Sequence, residues 1–167
     1  MKKYLLIATL LLPSLAFSEE AGGGVASQTR DASAAFIATQ NYIVGRLGRV
    51  CLEELKRSDD PADYLKKWQR DNAKYYDSAN KYMDARLKEI PDDEERNAVQ
   101  SSYYSAVNSK GEAAVDQVLG RSSKTESCKY AITLIDAGSM NIEDFVKSAK
   151  LPIMPNLEEL VAWASAH

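Results

Sequence analysis

Apolar residues recur every three or four positions along most of this chain, the spacing of helix faces turned toward a common core. The longest such stretch runs from Asp60 to Ile90, where Leu65, Trp68, Tyr75, Ala79, Tyr82, Met83 and Leu87 share one face. Lys66, Arg70, Lys74, Asp77, Lys81, Asp84 and Lys88 share the other. Asp60 is placed to cap this run, Pro61 fits the first turn, and Pro91 ends it. The pattern predicts one unbroken helix of about eight turns, around which the other helices pack.

Residues 28–56 read as an earlier helix, with Phe36, Ile37, Gln40, Ile43, Val44, Leu47, Val50, Cys51 and Leu55 on its stripe. Gly45 and Gly48 interrupt it, and the packing explanation is that a neighbouring helix, or a large ring such as Tyr42 or a tyrosine of the 60–90 helix, comes close there. A third helix starts near Pro91 and carries Val99, Tyr103, Ala106, Val107, Ala114 and Val118. Asp92, Asp93, Glu94 and Glu95 crowd its first turn, where carboxylates meet the positive end of the helix dipole. Asn108-Ser109-Lys110-Gly111 is a point where it is expected to bend, and Gly120 ends it.

A fourth helix spans 124–137 after Ser122 and Ser123, with Cys128, Ala131, Ile132, Leu134 and Ile135 inward and Gly138 at its end. A short C-terminal pair follows. Asn141 caps the first member, Leu151-Pro152-Ile153-Met154-Pro155 is an extended connector, and Asn156 caps the second. The expected architecture is all-α: four main helices in a bundle plus a short C-terminal helix pair.

The first residues follow a different pattern. Lys2 and Lys3 precede an apolar run from Tyr4 to Leu15, and Ala16-Phe17-Ser18 supplies small residues for cleavage. Residues 1–18 read as a secretory signal peptide, too short to span a membrane. Residues 19–27, with Gly22-Gly23-Gly24, read as a flexible linker, and 28–167 as a single helical domain. Removing 1–18 leaves 149 residues with 19 basic and 24 acidic side chains, a net charge of −5. That balance argues against nucleic acid and anionic lipid as partners, and no membrane anchor is expected after cleavage.

Export makes the cysteine count informative. Cys51 and Cys128 are the only two, so an oxidising compartment pairs them across 77 residues. Chain entropy assigns such a cross-link about 4–5 kcal/mol.

Catalytic chemistry is sparse. The single histidine is His167, at the end of the chain, so a serine or cysteine nucleophile has no imidazole base. The ligand sets for zinc and the spacings for calcium or a phosphate loop are missing, so no metal and no cofactor are expected. Carboxylate chemistry is the remaining route, as in an envelope (peptidoglycan) hydrolase, with Glu53, Glu54, Asp71 and Asp136 as the acids near apolar residues.

Aromatic rings are the one mild surplus. Adjacent residues on a helix point about 100° apart, so Tyr75 and Tyr76 cannot both face inward, nor can Tyr103 and Tyr104. The candidate interface is therefore Tyr64, Trp68, Tyr75, Tyr76, Tyr103 and Tyr104, residue types enriched where proteins touch. The expectation is a non-enzymatic periplasmic or secreted protein that acts by binding another envelope protein, such as an inhibitor or a toxin-immunity protein. The alternatives are the hydrolase and a small-molecule binder with a pocket between the tyrosine-bearing helices.

Overall fold

In a computed structural model that describes residues 25–167, the chain forms seven helices and, among the described residues, no strand. They are α1 (Gln28–Glu54), α2 (Pro61–Asp71), α3 (Ala73–Lys88), α4 (Asp93–Leu119), α5 (Lys124–Asp136), α6 (Ile142–Ser148) and α7 (Met154–Ala166). The fold is the expected all-α bundle, with a disulfide between Cys51 and Cys128. The signal peptide read over 1–18 lies outside the described residues.

The hub is α1 and not the 60–90 segment. Buried positions run around α1 and include Ala34, Phe36, Ile37, Ile43, Val44, Leu47, Cys51 and Leu52. A helix buried on most sides belongs at the centre, and α2, α3, α4, α5 and α7 all pack against it. The two glycines of α1 admit α2: a Cβ on Gly45 would lie 3.1 Å from Leu65, and one on Gly48 would lie 3.1 Å from Tyr64.

The single long helix expected over 60–90 is broken at Asn72. Asn72 is 4% exposed, and its side chain holds three groups. Its Nδ2 donates to the Trp68 carbonyl at 2.7 Å and to Asn141 Oδ1 at 3.1 Å. Its Oδ1 accepts the Ile142 amide at 2.8 Å. Asparagine competes with its own backbone for hydrogen bonds, and here that competition ends α2 and caps α6 from outside. Asn141, the expected cap of α6, gives that helix no side-chain bond.

The remaining ends follow local chemistry. Ser27, Asp60, Asp92 and Ser123 cap α1, α2, α4 and α5 through side-chain oxygens. α4 runs unbroken through Asn108–Gly111. α7 begins at Met154, with Pro155 in its first turn, two residues before the expected cap Asn156. A proline is compatible with that position because the N–H it lacks has no helical partner there.

The buried disulfide ties α5 to α1 with a Cα–Cα distance of 4.9 Å, and both cysteines are fully buried. At the other end, the last residues of the expected linker are held. The Val25 amide donates to Glu89 Oε1 at 2.8 Å, and the Ser27 amide to the Tyr82 hydroxyl at 3.2 Å.

Candidate functional site

The six candidate interface aromatics part company in the structure. Trp68 is 2% exposed and its Nε1 donates to the Met140 carbonyl at 3.0 Å. Tyr75 is 3% exposed. Both rings belong to the core and not to a surface, because the apolar stripe of the 60–90 segment faces α1 and α7. Tyr64 is half-buried over Gly48, its hydroxyl donating to Asp136 at 2.8 Å. Burial first, and the Asp136 carboxylate second, hold its phenol well above the usual range.

Tyr76, Tyr103 and Tyr104 come together. They line a groove of about 420 Å³ whose floor is α1 and whose walls are α3 and α4. The α3 wall is one stripe, Tyr76, Ala79, Asn80, Met83, Asp84 and Leu87. Its length is about 16 Å at the rise of an α-helix. The facing stripe on α4 is Gln100, Tyr103, Tyr104, Val107 and Asn108. The groove exists because the buried positions of α4, Val107, Gly111 and Val115, all lie in its second half. The first half lies along the wall without closing on α3.

Tyr42 fixes that geometry. A Cβ on Gly111 would lie 2.3 Å from Tyr42 Cδ1, so the ring seats directly on the glycine backbone. Its hydroxyl donates to Glu112 at 2.8 Å, and Arg46 pairs with the same carboxylate at 3.3 Å. The Tyr42 hydrogen bond first, and Arg46 second, hold the Glu112 carboxyl below its usual range.

The rings around the groove differ in freedom. The Tyr103 hydroxyl turns inward and donates to the Ala34 carbonyl at 3.1 Å. The Tyr76 hydroxyl accepts from Gln69 at 3.2 Å. Tyr104 is 54% exposed, its ring edge-on to Tyr103 at 5.5 Å. The side chains of Asn80, Gln100, Asn108 and Tyr104 have no hydrogen-bond partner among the described residues. Asp84 is the single charged residue of the lining and has no ion-pair partner among them.

The acids singled out from the sequence lie elsewhere. Asp71 is exposed and paired with Lys67 at 2.6 Å. Asp136 is exposed and bound by Arg57 at 2.7 Å and by Tyr64. Glu53 is exposed, and Glu54 reaches across to Thr125 and Lys124 of α5.

Two other acids do approach each other. Glu143 and Glu158 both contact the Tyr75 hydroxyl, at 2.9 and 3.0 Å. Tyr75, with Lys147 second, lowers the Glu143 carboxyl, while Lys74, with Tyr75 second, lowers that of Glu158. Both are therefore ionised acceptors, the opposite of the raised carboxyl that a general acid needs.

Among the described residues, no three His, Cys, Asp or Glu side chains gather as a metal site, and no helix is long and apolar enough to cross a membrane. Fold and groove together define a disulfide-stapled helical bundle with a tyrosine-walled cleft. Comparison with protein-family models, with characterised proteins and with solved structures finds no match to this chain.

Proposed function

We propose that this chain is an exported, non-catalytic protein of the cell envelope, periplasmic or secreted, that acts by binding another protein. An inhibitor, or an immunity protein against an envelope-directed toxin, is the type that fits its size and charge. The observation that carries the reading is the groove between α3 and α4. Among the described residues its free polar groups are the amides of Asn80, Gln100 and Asn108, the phenol of half-exposed Tyr104, and one carboxylate, Asp84. Amides and phenols bury area and hydrogen-bond a partner but neither attack nor transfer protons readily at neutral pH, and the one carboxylate has no second acid beside it in the lining. The buried disulfide supports an oxidising compartment.

The test is capture from envelope extract on the immobilised, disulfide-bonded protein. One identified partner is expected at fixed stoichiometry, and it is lost when Tyr76→Ala and Tyr104→Ala are combined. Failure to retain any partner across a range of salt would overturn the reading.

The groove volume favours a second reading, a small-molecule binder, since about 300–1,000 Å³ is the range of ligand pockets. This cleft has an exposed rim at Asn80, Asp84, Tyr104 and Asn108 and is not an enclosed cavity, so it suits a chain segment better than a small ligand. A small metabolite that raised the melting temperature while leaving the envelope partner bound would reverse that preference.

A further inference from the structure

Resting on that reading, we infer that the groove takes an extended, basic-and-aliphatic peptide segment of the partner, with its lysine or arginine at Asp84. Three features of the lining point to it.

Length comes first. A wall of about 16 Å accommodates roughly five residues of extended chain at about 3.3 Å each.

The second feature is the set of unpartnered amides. Asn80 stands on one wall, with Gln100 and Asn108 on the other, and none has a partner among the described residues. A carboxamide offers one acceptor and a pair of donors on neighbouring atoms, the complement of a peptide unit's N–H and C=O. An extended segment leaves its main-chain groups unpaired, so amides on both sides can satisfy them. A helix entering the groove would bring its main-chain groups already bonded and leave these amides idle.

Charge is the third. Among the described residues, Asp84 is the single charge of the lining and is unpaired, and no lysine or arginine lines the cleft to answer it. A cation on the ligand would supply the missing partner next to the apolar side chains of Met83 and Leu87. Ile37 of the floor, Ala79 of the α3 wall and Val107 of the α4 wall then receive an aliphatic side chain. A glycan fits less well. Sugars stack on flat, open ring faces, whereas Tyr103 and Tyr104 meet edge-on at 69° and the Tyr103 hydroxyl is turned into α1.

The experiment pans a phage-displayed library of random dodecapeptides on the intact disulfide-bonded protein, in parallel with Asp84→Lys and Asn80→Ala. The expected consensus holds a lysine or arginine at fixed spacing from an aliphatic residue. Its synthetic peptide should bind about tenfold more weakly, a loss near 1.4 kcal/mol, to Asn80→Ala. Asp84→Lys should select acidic peptides instead. Unchanged thermal unfolding of both variants shows that the bundle is intact, as expected for exposed positions. An identical consensus on Asp84→Lys, no consensus at all, or specific binding of an N-acetylglucosamine oligomer in place of peptide overturns the inference. The envelope partner separates the two claims. A partner still captured by Asp84→Lys and Asn80→Ala leaves protein binding standing and removes only the peptide groove.

Discussion

A glycine on one helix and a tyrosine on another set the shape of the groove. Gly111 is buried because Tyr42 occupies the space where any side chain would begin. At 2.3 Å from a ring carbon, an added methyl cannot be absorbed by small adjustments, so either the ring leaves or α4 moves. Gly111→Ala is expected to destabilise by about 1–3 kcal/mol, the usual cost of overpacking. It should also detach Tyr42 from Glu112 and turn the ring toward the cleft. Chemical denaturation measures the first effect. Combining the substitution with Tyr42→Ala should recover most of the overpacking cost, since the two changes share one contact. Additive losses would show that the ring does not carry the strain. The sequence revealed little of this pair: Gly111 stood as a bend signal, and Tyr42 as one of two kinds of ring for Gly45 or Gly48, the other being a tyrosine of the 60–90 segment. The ring that lies on Gly48 is Tyr64, the second of those kinds. Glycine marks a close approach without naming the side chain that makes it.

At the scale of elements, most helices were readable because caps and stripes agree with their packing. Asp60 and Ser123 cap where the sequence places them, and Asp92, expected within the first turn of α4, caps that turn from just outside it. The cysteine pairing needed only a count of two and an oxidising compartment. The break at Asn72 was hidden because Trp68 and Tyr75 are seven residues apart, two turns, so the stripe stays in phase across it. What ends α2 is a long-range bond to α6, and periodicity carries no such information. Asn72→Ala tests that account. It leaves the Ile142 amide, on a fully buried residue, without its acceptor. An unmade buried hydrogen bond costs about 1–3 kcal/mol, so the denaturation midpoint should fall accordingly, with faster hydrogen exchange at Ile142 than in α1. A change within about 0.5 kcal/mol, the ordinary range for a surface site, would mean that α6 is capped by something else. The groove had the same cause of invisibility. Tyr76 and Tyr104 announce that some rings must face outward, but their meeting depends on α3 and α4 diverging above α1.

Across the whole molecule, the helices outside α1 are tied to one another and to it by carboxylates that act as acceptors. Glu54 joins α1 to α5, Glu112 joins α4 to α1, and Glu143 and Glu158 join α6 and α7 to Tyr75 and Lys74 of α3. Each lies below its usual value of 4.5, and each is led by a hydrogen bond: Thr125 for Glu54, Tyr42 for Glu112, Tyr75 for Glu143 and Lys74 for Glu158. A carboxyl whose folded value is depressed adds stability above its unfolded value and loses it as pH falls through the folded one. The phenols behave in the opposite sense. Tyr64, Tyr75, Tyr82 and Tyr103 are raised above 10.0, chiefly by burial, so their contribution is present below that value and is lost as pH climbs past it. The melting temperature should therefore be level from about pH 5 to about pH 10 and fall on both sides. Glu143→Gln with Glu158→Gln should flatten part of the acid limb and leave the alkaline limb in place. Added salt should shallow the acid limb further, because these carboxylates are partly exposed and their ion pairs are screened. A step in stability between about pH 6 and pH 8 would contradict this, since the groups invoked here titrate outside that interval.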